Sequence, residues 1–152
     1  IFYNYLSRIF WDWTCGSTTR YICEKRDYSY SGTTASQTAN QTACSNMDGN
    51  LVSVNSELEE DAIRPFVSGI TVHQYIGLTN MSSSDNIYSW NDGDVCWDGN
   101  SGATGTSYGY TNWTSGQPDS TSSDCVAYRP GLAYETWSDY DCTTNLSGIC
   151  EF

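Results

Sequence analysis

The last third of the chain carries a run of short signatures: Asn112-Trp113, Gly116-Gln117-Pro118-Asp119, Asp124-Cys125-Val126, Trp137-Ser138-Asp139-Tyr140-Asp141-Cys142 and Ile149-Cys150-Glu151-Phe152. Cysteines set among Val, Ile, Trp and Tyr read as short strands. The Gly-Gln-Pro-Asp-Ser run between them is turn chemistry, because Gly and Pro supply the backbone angles and Asp bonds its own turn. Residues 79–124 are rich in Gly, Ser, Asn, Asp and Thr and poor in aliphatics, which predicts long ordered loops rather than regular structure. Loops of that length inside one compact domain are usually functional.

Further upstream the apolar pattern becomes regular. Tyr75-Ile76-Gly77-Leu78 reads as a compact strand. Ser56 followed by Glu59 forms a capping box that opens a helix running to about Phe66, with Glu57, Glu59 and Glu60 expected on its solvated face. Leu51-Val52-Ser53-Val54 is expected as a strand, and residues 33–47 as a helix stopped at Asp48-Gly49. Residues 1–26, dense in β-forming aromatics and broken at Gly16-Ser17, predict two strands with a turn.

Composition narrows the class. A chain of 152 residues has room for one domain with a real core. Aromatic residues make up 14% of it, so that core must be built on large rings, which argues against a bundle or coiled coil. Acidic residues outnumber basic ones 18 to 6, a formal charge of −12 that argues against nucleic acid or an anionic membrane as partner. No stretch approaches the length a membrane span needs. Seven cysteines without paired Cys-x-x-Cys units predict disulfides, hence a secreted, extracellular protein. The start lacks both Met and a signal-peptide pattern and reads as a processed or partial chain.

An internal repeat links the two ends. Cys15 and Cys23 carry the same spacing as Cys142 and Cys150, and each second cysteine is preceded by Ile and followed by Glu. Asp12 and Asp139 lie three before the first cysteine, with aromatics on either side. Residues 1–26 therefore read as a hairpin arm copying the domain's own last hairpin, and residues 27–152 as the domain. The arm is either the end of a preceding domain in a longer array or a built-in piece for docking onto a neighbour. Its Phe2, Tyr3, Tyr5, Leu6, Ile9, Phe10, Trp11 and Trp13 are too apolar for a solvated tail, which predicts burial on its own domain or on a second copy of the chain.

Over residues 27–152 the order of signatures resembles a C-type lectin-like domain. Leu51-Val52-Ser53-Val54 with its acidic helix, Tyr75-Ile76-Gly77-Leu78, Trp90-Asn91-Asp92-Gly93, Asn112-Trp113, Gly116-Gln117-Pro118-Asp119, Asp124-Cys125-Val126, Trp137-Ser138-Asp139 and Cys150-Glu151-Phe152 all match in order. The resemblance implies an α+β fold with two short helices, small antiparallel sheets and a long loop region stapled by disulfides. It also implies bridges from Cys44 to Cys150 and from Cys125 to Cys142. Cys15 would then pair with Cys23 in the arm, leaving Cys96 free or linked to another chain.

In the family a triplet with a central, cis proline supplies calcium ligands, and its Gln-Pro-Asp form is the galactose-type variant. That makes Gln117, Asp119 and Asp139 the implied metal ligands, with Pro118 cis. Calcium suits such loops because it accepts six to eight oxygens at flexible geometry. The implied sugar contacts are the same three residues with Ser123 and Ser138, where the family has Glu and Asn. A hydroxyl is a poorer ligand than a carboxylate or an amide, so the site is partly eroded. Galactose presents an apolar face that stacks on a ring, and Trp97, with Tyr108 and Tyr110 beside it, is the nearest aromatic candidate.

A catalytic reading has little to stand on, since His73 has no serine or cysteine motif beside it. Asn40, Asn80 and Asn145 open glycosylation sequons; Asn112 opens a fourth but adjoins a tryptophan expected in the core. The expectation is an extracellular lectin module for glycans with terminal galactose, calcium-dependent, and not an enzyme. The rival is a structural or adhesive protein that uses the fold as a disulfide-stapled scaffold and assembles through residues 1–26 into a filament or matrix.

Overall fold

The computed structural model describes residues 26–68, 71–80, 86–99, 105–119, 124–129 and 136–152. The arm, and with it Cys15 and Cys23, lies outside the described residues apart from Arg26. The described chain runs β1 (Tyr28–Tyr30), α1 (Gln37–Ser45), β2 (Asn50–Leu51), α2 (Glu57–Val67), β3 (Gln74–Thr79), β4 (Ile87–Ser89), β5 (Val95–Asp98), β6 (Thr106–Ser107), β7 (Cys125–Arg129), β8 (Thr136–Tyr140) and β9 (Ser147–Glu151).

Each helix starts where its side chains can satisfy free backbone donors. Ser36 caps α1 by accepting from Ala39 N at 3.4 Å. Ser56 caps α2 by accepting from Glu59 N at 3.2 Å, and the Glu59 carboxylate reaches back to accept from Asn55 N at 2.6 Å. The acidic first turn, Glu57, Glu59 and Glu60, also suits the positive end of the helix dipole. Glu60 departs from the expected solvated face: it is only 3% exposed. It stands three residues before Ile63 and seven before Val67, so helical periodicity carries it onto the buried stripe with them.

The last strand organises the sheet. β9 pairs antiparallel with β1 and β2, through Tyr28↔Glu151 and Leu51↔Cys150, and parallel with β3 through Tyr75↔Gly148. The sheet is therefore mixed, where antiparallel pairing alone was expected. On its other edge β3 pairs with β7 and β4, and β7 pairs with β8 from Cys125↔Tyr140 to Arg129↔Thr136. Two more expectations are corrected. Only Leu51, with Asn50 before it, joins a ladder; Val52 and Val54 are buried without extending the strand. The loop region contains β4, β5 and β6, whose polar composition hid a three-strand meander.

The rings make the core, as the composition requires. Trp137 is fully buried and meets Trp90, Trp113 and Tyr110 edge-on, with centroids 5.7, 5.8 and 5.9 Å away. Trp113 in turn meets Tyr88 at 5.4 Å and Trp97 at 6.0 Å. Such contacts add about 0.5–1.5 kcal/mol each beyond burial. A smaller cluster gathers Leu51, Tyr75 and Ala127 around Cys44, Cys125 and Cys150. Both implied bridges are formed, Cys44–Cys150 and Cys125–Cys142. Gly77 sits where a Cβ would lie 2.6 Å from the Leu51 carbonyl and 2.5 Å from Asn91 Nδ2, so only glycine allows this approach.

Candidate functional site

Residues 112–119 lie along β8 and are stitched to it. Trp137 N donates to Asn112 O at 2.7 Å, Thr114 N donates to Trp137 O at 2.8 Å, and Gln117 N closes a turn on Thr114 O at 2.9 Å. Gly116 takes a positive φ of 86°, which glycine adopts without strain. The Gln117-Pro118 peptide bond is cis, as the resemblance implies.

This stitching brings the three implied metal ligands together. Gln117 Oε1 accepts from Asp139 N at 3.1 Å, and Asp139 Oδ1 accepts from Asp119 N at 3.3 Å. An amide oxygen and two carboxylates thus share one end of β8, a set of hard oxygens that fits calcium. Asp139 is mostly buried at 8% exposure, whereas Asp119 is exposed. Among the described residues, no three His, Cys, Asp or Glu side chains are placed to hold one ion.

A residue without an assigned role in the sequence reading belongs beside these. Asp124 Oδ1 is buried without a hydrogen-bond partner. The phenol of Tyr88 is held far above its ordinary value, first by burial and then by the charges of Asp139, Asp124 and Asp119. Three carboxylates therefore lie near enough to act on one buried ring. The signal was the Asp124-Cys125 pair itself, since a disulfide cysteine at a strand start fixes the preceding side chain.

The remaining expected site residues differ in their surroundings. Ser138 is 4% exposed, and its hydroxyl donates to Thr114 Oγ1 at 3.2 Å, so it is held by the scaffold. Ser123 lies outside the described residues. Trp97 is half-buried: it leans on the core and on Trp113, and a Cβ on Gly105 would strike its ring. Tyr110 packs against Trp137, whereas Tyr108 is 63% exposed.

Of the sequon asparagines, Asn145 is exposed. Asn40 is corrected: it is fully buried, and its Nδ2 donates to Ala35 O, Ser36 O and Leu146 O, leaving no room for a glycan. Asn80 is also buried, at 8% exposure. Cys96 is free and 2% exposed, and burial pushes its thiol up to about 12, so a link from it to another chain is closed off in this fold.

Beside the triplet opens a cavity of about 510 Å³, lined by Thr71, His73, Gln117, Arg129, Ser138, Asp139 and Tyr140. His73 stacks at 4.8 Å on Tyr140, and burial, then the Arg129 charge, lowers its pKa, so it is neutral at pH 7. Behind the site, Glu60 accepts from Tyr128 Oη at 2.9 Å and from Asn112 Nδ2 at 3.1 Å. Burial pushes the Glu60 carboxyl up, and those two bonds pull it partly back. This network ties α2 to the start of the stitched segment.

Comparison with known proteins agrees with the architecture. Residues 33–152 match the family model described as Lectin C-type domain. The chain is 29% identical over 112 residues to the low affinity immunoglobulin epsilon Fc receptor of Mus musculus, covering 72% of this chain and 28% of the receptor. It is 28% identical over 105 residues to Snaclec 5 of Bitis arietans, covering 68% of this chain and 59% of that protein. The chain thus spans less than two thirds of these relatives' own length. Among solved structures, the carbohydrate-recognition domain of the mouse scavenger receptor C-type lectin superposes with a TM-score of 0.67 at 25% identity, covering 87% of this chain and 91% of that one. The stitched Gln-Pro-Asp segment, the two bridges, the mixed sheet and the family match lead to one conclusion: this chain belongs to the C-type lectin domain family.

Proposed function

We propose that the chain is an extracellular carbohydrate-binding module of the calcium-dependent, galactose type. The observation that carries this reading is the convergence of Gln117 Oε1, Asp119 and Asp139 through the hydrogen bonds between Gln117, Asp119 and Asp139. These residues would hold the ion, and calcium bound there supplies open coordination for sugar hydroxyls, hard oxygens on a hard cation. Gln117 and Asp119 also offer acceptors to those hydroxyls, and β8 keeps Asp139 fixed while they bind. The two disulfides support secretion. The chemistry of this reading is recognition rather than catalysis.

One observation favours the scaffold reading instead. Ser138 gives its hydroxyl to Thr114 inside the fold, where a working site would keep an amide for the sugar. Calcium separates the two. If the site is used, calcium at a hundred times its Kd stabilises the fold by about 2.7 kcal/mol, which is about 5–10 °C in Tm for a domain of this size. Asp119→Ala should abolish that shift and Glu59→Ala should leave it. Identical melting in calcium and in chelator would leave the scaffold reading standing.

A further inference from the structure

The lining of the cavity beside the triplet combines Gln117 and Asp139 of the candidate calcium site with Thr71, His73, Arg129, Ser138 and Tyr140. Arg129 is unusual in this chain. Arg26 pairs with Glu59 at 3.3 Å and Glu151 at 3.1 Å, and Arg64 pairs with Asp61 at 2.9 Å. Among the described residues Arg129 alone is a cation without a carboxylate in ion-pair reach. In a chain of net charge −12 with only six basic residues, many carboxylates were available to neutralise it.

From this arrangement we propose that the cavity receives a saccharide carrying an oxyanion, a sulfate or a carboxylate, with the anion on Arg129 and the sugar ring toward Gln117 and Asp139. The proposal rests on the carbohydrate reading and names its ligand class. A guanidinium presents a planar fork of N–H donors that matches a two-oxygen face of sulfate or carboxylate. Thr71 and Tyr140 add hydroxyl donors, and His73 adds a ring N–H. The Asp139 carboxylate accepts from Asp119 N, which lowers its repulsion of an incoming anion. A cavity of about 510 Å³ lies within the size of small-ligand sites and holds a substituted monosaccharide.

The test is calorimetry in calcium with four probes: galactose, a sulfated galactose, galacturonic acid and inorganic sulfate, on the native chain and on Arg129→Gln. The expected result is at least tenfold tighter binding of one or both anionic sugars than of galactose. Arg129→Gln should remove that preference while leaving galactose affinity and the calcium-dependent melting shift unchanged. The probe that gains tells sulfate from carboxylate. Equal affinity for neutral and anionic sugars overturns the proposal and leaves the carbohydrate reading intact. A preference that persists in Arg129→Gln, or inorganic sulfate binding as tightly as the sulfated sugar, also overturns it. Failure of every sugar to bind overturns both.

Discussion

Replacing Tyr128 by Phe isolates the bond that anchors helix α2 beneath the site. Tyr128 is 2% exposed, so the ring keeps its packing and only the hydroxyl that donates to Glu60 at 2.9 Å is lost. A hydrogen bond to a charged, buried acceptor is worth about 1.5–3 kcal/mol, and Asn112 alone cannot satisfy both carboxylate oxygens. At about 2–4 °C per kcal/mol, Tm at pH 7 should fall by about 3–12 °C.

The pH dependence sharpens this. Burial holds the folded Glu60 carboxyl above its unfolded value. Below the unfolded value both states are protonated and the charge contributes nothing. As pH rises between the unfolded and folded values, the unfolded chain loses its proton first and stability falls. Losing the Tyr128 bond raises the folded value further, so the variant falls further and over a wider range. The difference between native and Tyr128→Phe should therefore be largest at neutral pH and shrink to that of a neutral hydrogen bond, about 0.5–1.5 kcal/mol, in acid. Urea unfolding followed by circular dichroism at both pH values measures it. A difference under about 0.5 kcal/mol at pH 7, or one that does not change with pH, would refute the buried-carboxylate account.

Three further outcomes follow from the fold. Removing Cys44–Cys150, whose ends are 106 positions apart in sequence, should cost more stability than removing Cys125–Cys142, whose ends are 17 apart; unfolding of the two double-alanine variants should show losses of about 4.7 and about 3 kcal/mol in the entropic model. Cys96, buried and with its thiol raised to about 12, should resist iodoacetamide in the native protein and react at the unfolding rate in denaturant, as mass spectrometry would show. Light scattering of the full chain against one starting at Asp27 tests the arm: loss of higher-order species only on truncation supports assembly through residues 1–26, and a monomeric full chain ends that reading.

Elements whose signals were local were legible in the sequence. The Ser56–Glu59 box works within one helical turn, so α2 begins where the residues place it. The pairing of Cys44 with Cys150 was accessible only through the family resemblance, because spacing alone leaves many pairings open. What escaped was decided by distant partners. Glu60 carries a charge that suggests solvent, and only Tyr128 and Asn112, far along the chain, make its burial tolerable. Asn40 fits a sequon pattern, but the backbone carbonyl of Leu146 claims its amide. Trp97 lies in a polar stretch of sequence, and its contact with Trp113 depends on a meander that composition concealed. At the site, the Gln-Pro-Asp motif was readable, while the cavity beside it needed Arg129 of β7 and His73 ahead of β3 to be brought together by the sheet.

Calcium-dependent sugar binding requires Gln117, Asp119 and Asp139 to act as one site. Isothermal titration of the native chain with calcium, followed by galactose in saturating calcium and again in chelator, tests this most directly. The expected result is a single calcium-binding event, galactose heat only when calcium is present, and loss of both in Asp119→Ala. Galactose binding that is indifferent to chelator, or no calcium heat with the fold intact, would contradict this reading.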